Sequence, residues 1–139
     1  MEKLKRILHV DDDKDILTVT RMTLELVGKF EVSQFSSGQE ALKHAQAFAP
    51  QLFLLDVMMP RMGGEETWAR LSALPGLEKV PTIFVTAKAE SKYAESLVRQ
   101  GALSVILKPF DPVSLCTTIN EAWYRFQTRP APKAEEIAM

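Results

Sequence analysis

Short apolar runs alternate along the chain with stretches whose apolar residues recur every three or four positions. The run Ile7-Leu8-His9-Val10 reads as a first strand. Ile16, Thr20, Thr23, Leu24 and Val27 then follow at helical spacing until Gly28 stops them. Residues 30–35 alternate as a partly exposed strand. Ser36-Ser37-Gly38 makes a turn with Ser37 as candidate cap, and Ala41, Leu42, Ala45 and Phe48 mark a second helix ended at Pro50. Leu52-Phe53-Leu54-Leu55 has the unbroken apolar character of a strand buried on both faces. Gly63 and Gly64 open a third helix carrying Thr67, Trp68 and Leu71, and Pro81 introduces a fourth strand over 82–85.

Ala94, Leu97 and Val98 lie on a fourth helix closed by Gly101, and residues 104–107 form a fifth strand. The last helix, from about Asp111, places Leu115, Ile119, Ala122 and Phe126 on one face. This fivefold alternation of strand and helix predicts an α/β domain, a doubly wound five-stranded parallel sheet with helices on both sides. A length of 139 residues is one domain's worth of chain. The domain is expected over residues 4–126. Residues 127–139, with Pro130, Pro132 and little apolar content, read as a flexible C-terminal tail or linker.

Composition narrows the functional classes. A formal net charge of −1, with acids and bases interleaved, argues against a nucleic-acid-binding face, which needs a basic surface. The single cysteine, Cys116, cannot form an internal disulfide and fits a reducing cytoplasm. Lys3, Lys5 and Arg6 precede an apolar run that ends at Asp11, too short for a signal peptide or a membrane span. A cytoplasmic protein with no membrane partner is expected.

The chemistry collects at the strand ends. In an open parallel sheet, ligands bind outside the carboxyl ends of the strands, where the strand order reverses. Asp11-Asp12-Asp13 follow the first strand, Asp56 ends the third, Val85-Thr86-Ala87 ends the fourth, and Leu107-Lys108-Pro109-Phe110 ends the fifth. Adjacent carboxylates at about 4 Å repel by roughly 4 kcal/mol at an effective dielectric of about 20, so a cation is the natural companion. Oxygen-only ligands suit a hard ion such as Mg²⁺. Asp56 follows four core-type residues and is placed to act as a carboxylate nucleophile. Asp13 reads instead as the start of the first helix, and Pro109 is a candidate for a cis bond that fixes the Lys108 loop.

Val10-Asp11-Asp12, Leu55-Asp56 with Met59-Pro60 and Gly64, Val85-Thr86-Ala87, Gly101-Ala102 and Lys108-Pro109-Phe110 together resemble the receiver domain of two-component response regulators. The resemblance covers essentially the whole predicted domain. It implies the CheY-like (βα)5 fold, also called flavodoxin-like, with strand order 2-1-3-4-5. It implies that Asp56 accepts a phosphoryl group, with Thr86 and Lys108 holding that group. Mg²⁺ would be bound by Asp12, Asp56 and the main-chain carbonyl of Met58, with Asp11 acting largely through water. The implied partner is a sensor histidine kinase or a histidine phosphotransfer protein that presents a phosphohistidine. Output, and a homodimer, would use the face made by the fourth helix, fifth strand and fifth helix. The protein would catalyse only its own phosphorylation and dephosphorylation, either as a stand-alone receiver or as one cut from a longer protein.

Several positions depart from the family pattern. Val105 stands where receivers usually carry an aromatic residue, and Gly63 stands where an acid is common. Met58 and Lys88 flank the phosphoryl site, and the bulky Met58 is expected to slow water attack and self-dephosphorylation. Two other readings compete with the switch. One is a receiver-like scaffold that binds partners without phosphorylation. The other is a Mg²⁺-dependent phosphatase, which would usually need a second acid where Met58 stands. His9 is expected to be a core histidine and His44 an exposed one; Trp123 with Tyr124 reads either as a partly exposed pair marking an interaction face or as packed against the tail.

Overall fold

Strand and helix alternate strictly in the computed structural model, which describes residues 2–87 and 91–129. The elements are β1 (Arg6–Val10), α1 (Lys14–Leu26), β2 (Glu31–Phe35), α2 (Gly38–Phe48), β3 (Leu52–Asp56), α3 (Gly64–Ser72), β4 (Thr82–Thr86), α4 (Ser91–Arg99), β5 (Ser104–Leu107) and α5 (Pro112–Thr128). Lys88 and residues 130–139 of the expected tail lie outside the described residues. The five strands are parallel and ordered 2-1-3-4-5. The order reverses between β1 and β3, so Asp11 and Asp56 leave the sheet side by side.

The strand sequences explain this layering. Ile7, Leu52, Leu54, Ile83 and Val85 point to one face, where they pack with Leu24 of α1 and Leu115, Ile119 and Ala122 of α5. Leu8, Val10, Phe53, Leu55 and Phe84 point to the other, against Ala41 and Ala45 of α2, Leu71 of α3 and Leu97 of α4. The central strands are therefore apolar on both faces, as parallel strands covered by helices must be. No helix among the described residues is long and apolar enough to cross a membrane.

Helix termini follow the polar signals. The Asp13 carboxylate caps α1, accepting from the backbone N–H groups of Asp15 (2.9 Å) and Ile16 (3.3 Å). Ser37 caps α2 by accepting from the N–H of Glu40 at 3.2 Å, and Asp111 caps α5 by accepting from that of Val113 at 3.1 Å. Helix α5 runs on to Thr128, two residues into the stretch read as tail.

Trp123 corrects one expectation. It is buried, only 7% exposed, against Leu4, Phe30 and Ile119, and its indole N–H donates to the Glu2 carbonyl at 2.9 Å. Its neighbour Tyr124 is 60% exposed. The two adjacent aromatics fall on different sides of α5, so they cannot form one surface pair. Val27, grouped by spacing with the inward residues of α1, sits at the C-cap and is also exposed.

Candidate functional site

Each site residue owes its position to a strand end. Asp11 immediately follows β1, where its backbone N–H continues the sheet by donating to the Phe35 carbonyl at 3.2 Å. Its side chain is fully buried, and its Oδ1 accepts the Asp13 N–H at 2.9 Å. Asp12 is exposed at the mouth. Asp56 is the last residue of β3 and is buried. One carboxylate oxygen from each of Asp11, Asp12 and Asp56 lies within 4.8 Å of the others.

The loop after Asp56 is shaped by glycine. The Gly64 N–H donates to the Val57 carbonyl at 2.9 Å, which folds residues 57–63 back on the strand. A Cβ on Gly64 would lie 2.2 Å from the Asp56 carbonyl oxygen, so only glycine permits this approach. Met58, two residues past Asp56, projects an exposed side chain, with 68% of its surface accessible.

Thr86 ends β4 and is fully buried, and its carbonyl accepts the Lys108 N–H at 2.8 Å. That bond carries the β4–β5 pairing one residue past the sheet. The Lys108–Pro109 peptide bond is cis. Lys108 reaches back over the strand ends, placing Nζ 2.8 Å from Asp11 Oδ2 and 3.2 Å from Asp56 Oδ1.

The electrostatics follow from this crowding. Burial pushes the Asp56 carboxyl up to about 6, the Asp11 charge pushes the same way, and Lys108 opposes both. Burial alone would disfavour the Lys108 ammonium, but Asp11 and Asp56 outweigh it and hold its pKa above the ordinary lysine value. One lysine thus faces two buried carboxylates, with a third carboxylate beside them. The set is anionic, made only of hard oxygen donors, and narrow enough for one small divalent ion. Asp11, Asp12 and Asp56 fit such an ion; Asp13 does not join them, because helix capping occupies it.

One buried polar cluster beneath the site was read only as a core histidine. His9 is buried, and Gln34 Nε2 lies 3.0 Å from its Nδ1 while also donating to the Leu17 carbonyl at 2.8 Å. Gln34 Oε1 in turn accepts from Arg21 Nε at 3.1 Å. Burial first, then the charges of Lys108 and Arg21, depress His9 to about 3, so the ring is neutral with its proton on Nε2. The alternating polarity of β2 was visible in sequence. The pairing of His9 with Gln34 across the β1–β2 register was not.

Comparison with known proteins agrees with this geometry. A family model described as "Response regulator receiver domain" matches residues 7–120. An uncharacterized 14.6 kDa protein of Leptolyngbya boryana is 35% identical over 115 residues, which cover 83% of this chain and 87% of the relative. The alkaline phosphatase synthesis transcriptional regulatory protein PhoP of Bacillus subtilis is 37% identical over 108 residues, covering 78% of this chain and 44% of PhoP. The chain therefore spans less than half the length of that regulator. Among solved structures, the chemotaxis response regulator CheY4 of Vibrio cholerae superposes with a TM-score of 0.78 at 28% identity, over 86% of this chain and 99% of CheY4.

Proposed function

The chain belongs to the response regulator receiver family, and on that premise we propose that it is a signalling switch that takes a phosphoryl group onto Asp56. The donor is a phosphohistidine on a sensor kinase or phosphotransfer protein. One observation carries the reading: three carboxylates share a 4.8 Å cluster, and a single lysine lies 2.8 Å from Asp11 and 3.2 Å from Asp56. A purely structural site would not hold that much unbalanced negative charge in a buried position.

The chemistry assigned to each residue follows from its place. With a pKa of about 6, the Asp56 carboxylate is mostly ionised at neutral pH, and its burial leaves it poorly solvated and reactive. It attacks phosphorus, an O–P bond forms, and the P–N bond to the histidine ring breaks, the electron pair leaving with the imidazole. Asp12, Asp56 and the Met58 main-chain carbonyl would hold Mg²⁺, with Asp11 acting largely through water. When bound, the ion neutralises charge on the acids and on the phosphoryl oxygens. The Lys108 ammonium moves from pairing two carboxylates to pairing the phosphoryl group, and the Thr86 hydroxyl donates to a phosphoryl oxygen. Exposed Met58 shields the acyl phosphate from water.

Occupation of Asp56 then shifts a two-state equilibrium. Output runs through α4, β5 and α5, where Val98, Leu107 and Val113 present exposed apolar side chains, and this face is also the one for a homodimer. The protein works in the reducing cytoplasm, consistent with its free Cys116. Incubation with phosphoramidate and Mg²⁺, followed by intact-mass measurement, tests the reading. A Mg²⁺-dependent adduct of one phosphoryl group is expected on the wild type and not on Asp56→Asn. No adduct would favour the scaffold, and sustained turnover of an added phosphate ester would favour the phosphatase.

A further inference from the structure

Two loops leave the site, and a side-chain hydrogen bond joins the helices that follow them. The first runs from Asp56 through residues 57–63 into α3, whose second residue is Glu65. The other leaves Thr86 and enters α4, whose third residue is Tyr93. The Tyr93 phenol donates to Glu65 Oε2 at 3.2 Å. Its half-buried ring packs on the cluster that contains Phe84 and Leu97, which Val105 also flanks. Strand β5 reads Ser104-Val105-Ile106-Leu107 and contributes no aromatic ring to that cluster.

We propose that the Tyr93–Glu65 hydrogen bond is a latch that holds the first turn of α4 against α3 in the unphosphorylated protein and opens when Asp56 is phosphorylated. This rests on the switch reading above and adds the element through which α4 responds. Any movement of Thr86 toward a group on Asp56 pulls on the segment that enters α4. Glu65, by contrast, is anchored beside Gly64, whose backbone is packed against the Asp56 carbonyl. The bond therefore spans the one fixed and the one displaced end. Burial, reinforced by the Glu65 charge, raises the phenol above its ordinary pKa, so it remains a donor across the neutral range.

An exposed hydrogen bond of this kind biases an equilibrium modestly, by about two- to fivefold. Amide hydrogen exchange of α4, measured by mass spectrometry on the full chain, reads that bias. Tyr93→Phe keeps the ring and its packing and removes the hydroxyl that donates to Glu65, and Glu65→Ala removes the acceptor. Both unphosphorylated variants are expected to exchange about two- to fivefold faster than wild type over residues 93–97, while Glu65→Gln, which retains an acceptor oxygen, stays at the wild-type rate. Phosphorylation should raise the wild type to the level of Tyr93→Phe and change that variant little. Equal exchange in unphosphorylated wild type and Tyr93→Phe would overturn the latch, as would an equally large response to phosphorylation in both. If the wild type takes up no phosphoryl group, the switch itself falls and the latch with it. An adduct without these exchange differences overturns the latch alone.

Discussion

The Lys108 ammonium lies closer to Asp11 than to Asp56, at 2.8 Å against 3.2 Å. Lys108 supplies compensating charge to the same acids that would hold an ion, so lysine and a bound metal would contend for them. Replacing Lys108 with methionine keeps the stem and removes the charge, leaving two buried carboxylates unbalanced. Lys108→Met should lose about 2 kcal/mol of stability in EDTA, a value below that of a fully buried pair because the lysine is partly solvated. Saturating Mg²⁺ should recover most of the loss. Urea denaturation with and without Mg²⁺ measures both, and a loss unaffected by Mg²⁺ would separate the lysine from the metal site.

Asp56 carries the opposite sign of pH dependence from most acids. Its folded pKa is about 6 and its ordinary value is 3.8, so the folded state binds the proton more tightly. The stability linked to this group is present in full below about pH 4 and is lost as pH rises through 6. In EDTA, Asp56→Asn should therefore be more stable than wild type by roughly 2–3 kcal/mol at pH 8, and the difference should close toward pH 4. Paired denaturation curves across that range check it. A gap that widens on acidification would reverse the assignment.

Gly64 admits no side chain. A Cβ there would stand 2.2 Å from the Asp56 carbonyl oxygen and 2.9 Å from the Val57 Cα, both of them backbone atoms that cannot swing away. Gly64→Ala should cost about 3 kcal/mol or more by displacing the loop, and should weaken Mg²⁺ binding with it. Gly76→Ala, at a position with nothing within 4 Å of the added carbon but a φ of +90°, should cost about 1 kcal/mol and leave Mg²⁺ affinity unchanged. Thermal melts and Mg²⁺ titration of the two variants give the comparison.

On the proposed reading, Met58 lengthens the lifetime of the phosphorylated form. Its apolar, largely exposed side chain offers no group to orient an attacking water. Asparagine at that position would supply one, and about 1 kcal/mol of transition-state stabilisation is roughly fivefold in rate. Decay of the phosphorylated protein should be about fivefold faster in Met58→Asn than in the wild type. Faster decay in the wild type would refute the shielding role.

What the sequence disclosed and what it hid divide along physical lines. The strand–helix alternation, both covering layers and the meeting of Asp11, Asp12, Asp56 and Lys108 at the strand ends were legible, because apolar period and strand-end position are local properties. The strand order is not local, and it came with the family resemblance. The caps at Asp13 and Ser37 were legible for the same reason as the alternation. Pairings between distant elements were not. Trp123 looked like half of a surface pair until the Glu2 carbonyl, 121 residues away, proved to accept its N–H. Gln34 gave no sign that it bonds both His9 and the backbone of α1, and Tyr93 none that it reaches α3. Such contacts depend on side-chain reach after the elements have packed, which periodicity does not encode.

On the proposed reading, Asp11 and Asp12 serve the ion while Asp56 alone forms the bond to phosphorus. Borohydride reduction of the phosphorylated protein, followed by peptide sequencing in the mass spectrometer, reads this directly, because an aspartyl phosphate is converted to homoserine at the acceptor. Homoserine is expected at position 56 only, and only when Mg²⁺ was present during phosphorylation. Homoserine at position 11 or 12, or the same yield at position 56 without Mg²⁺, would contradict it.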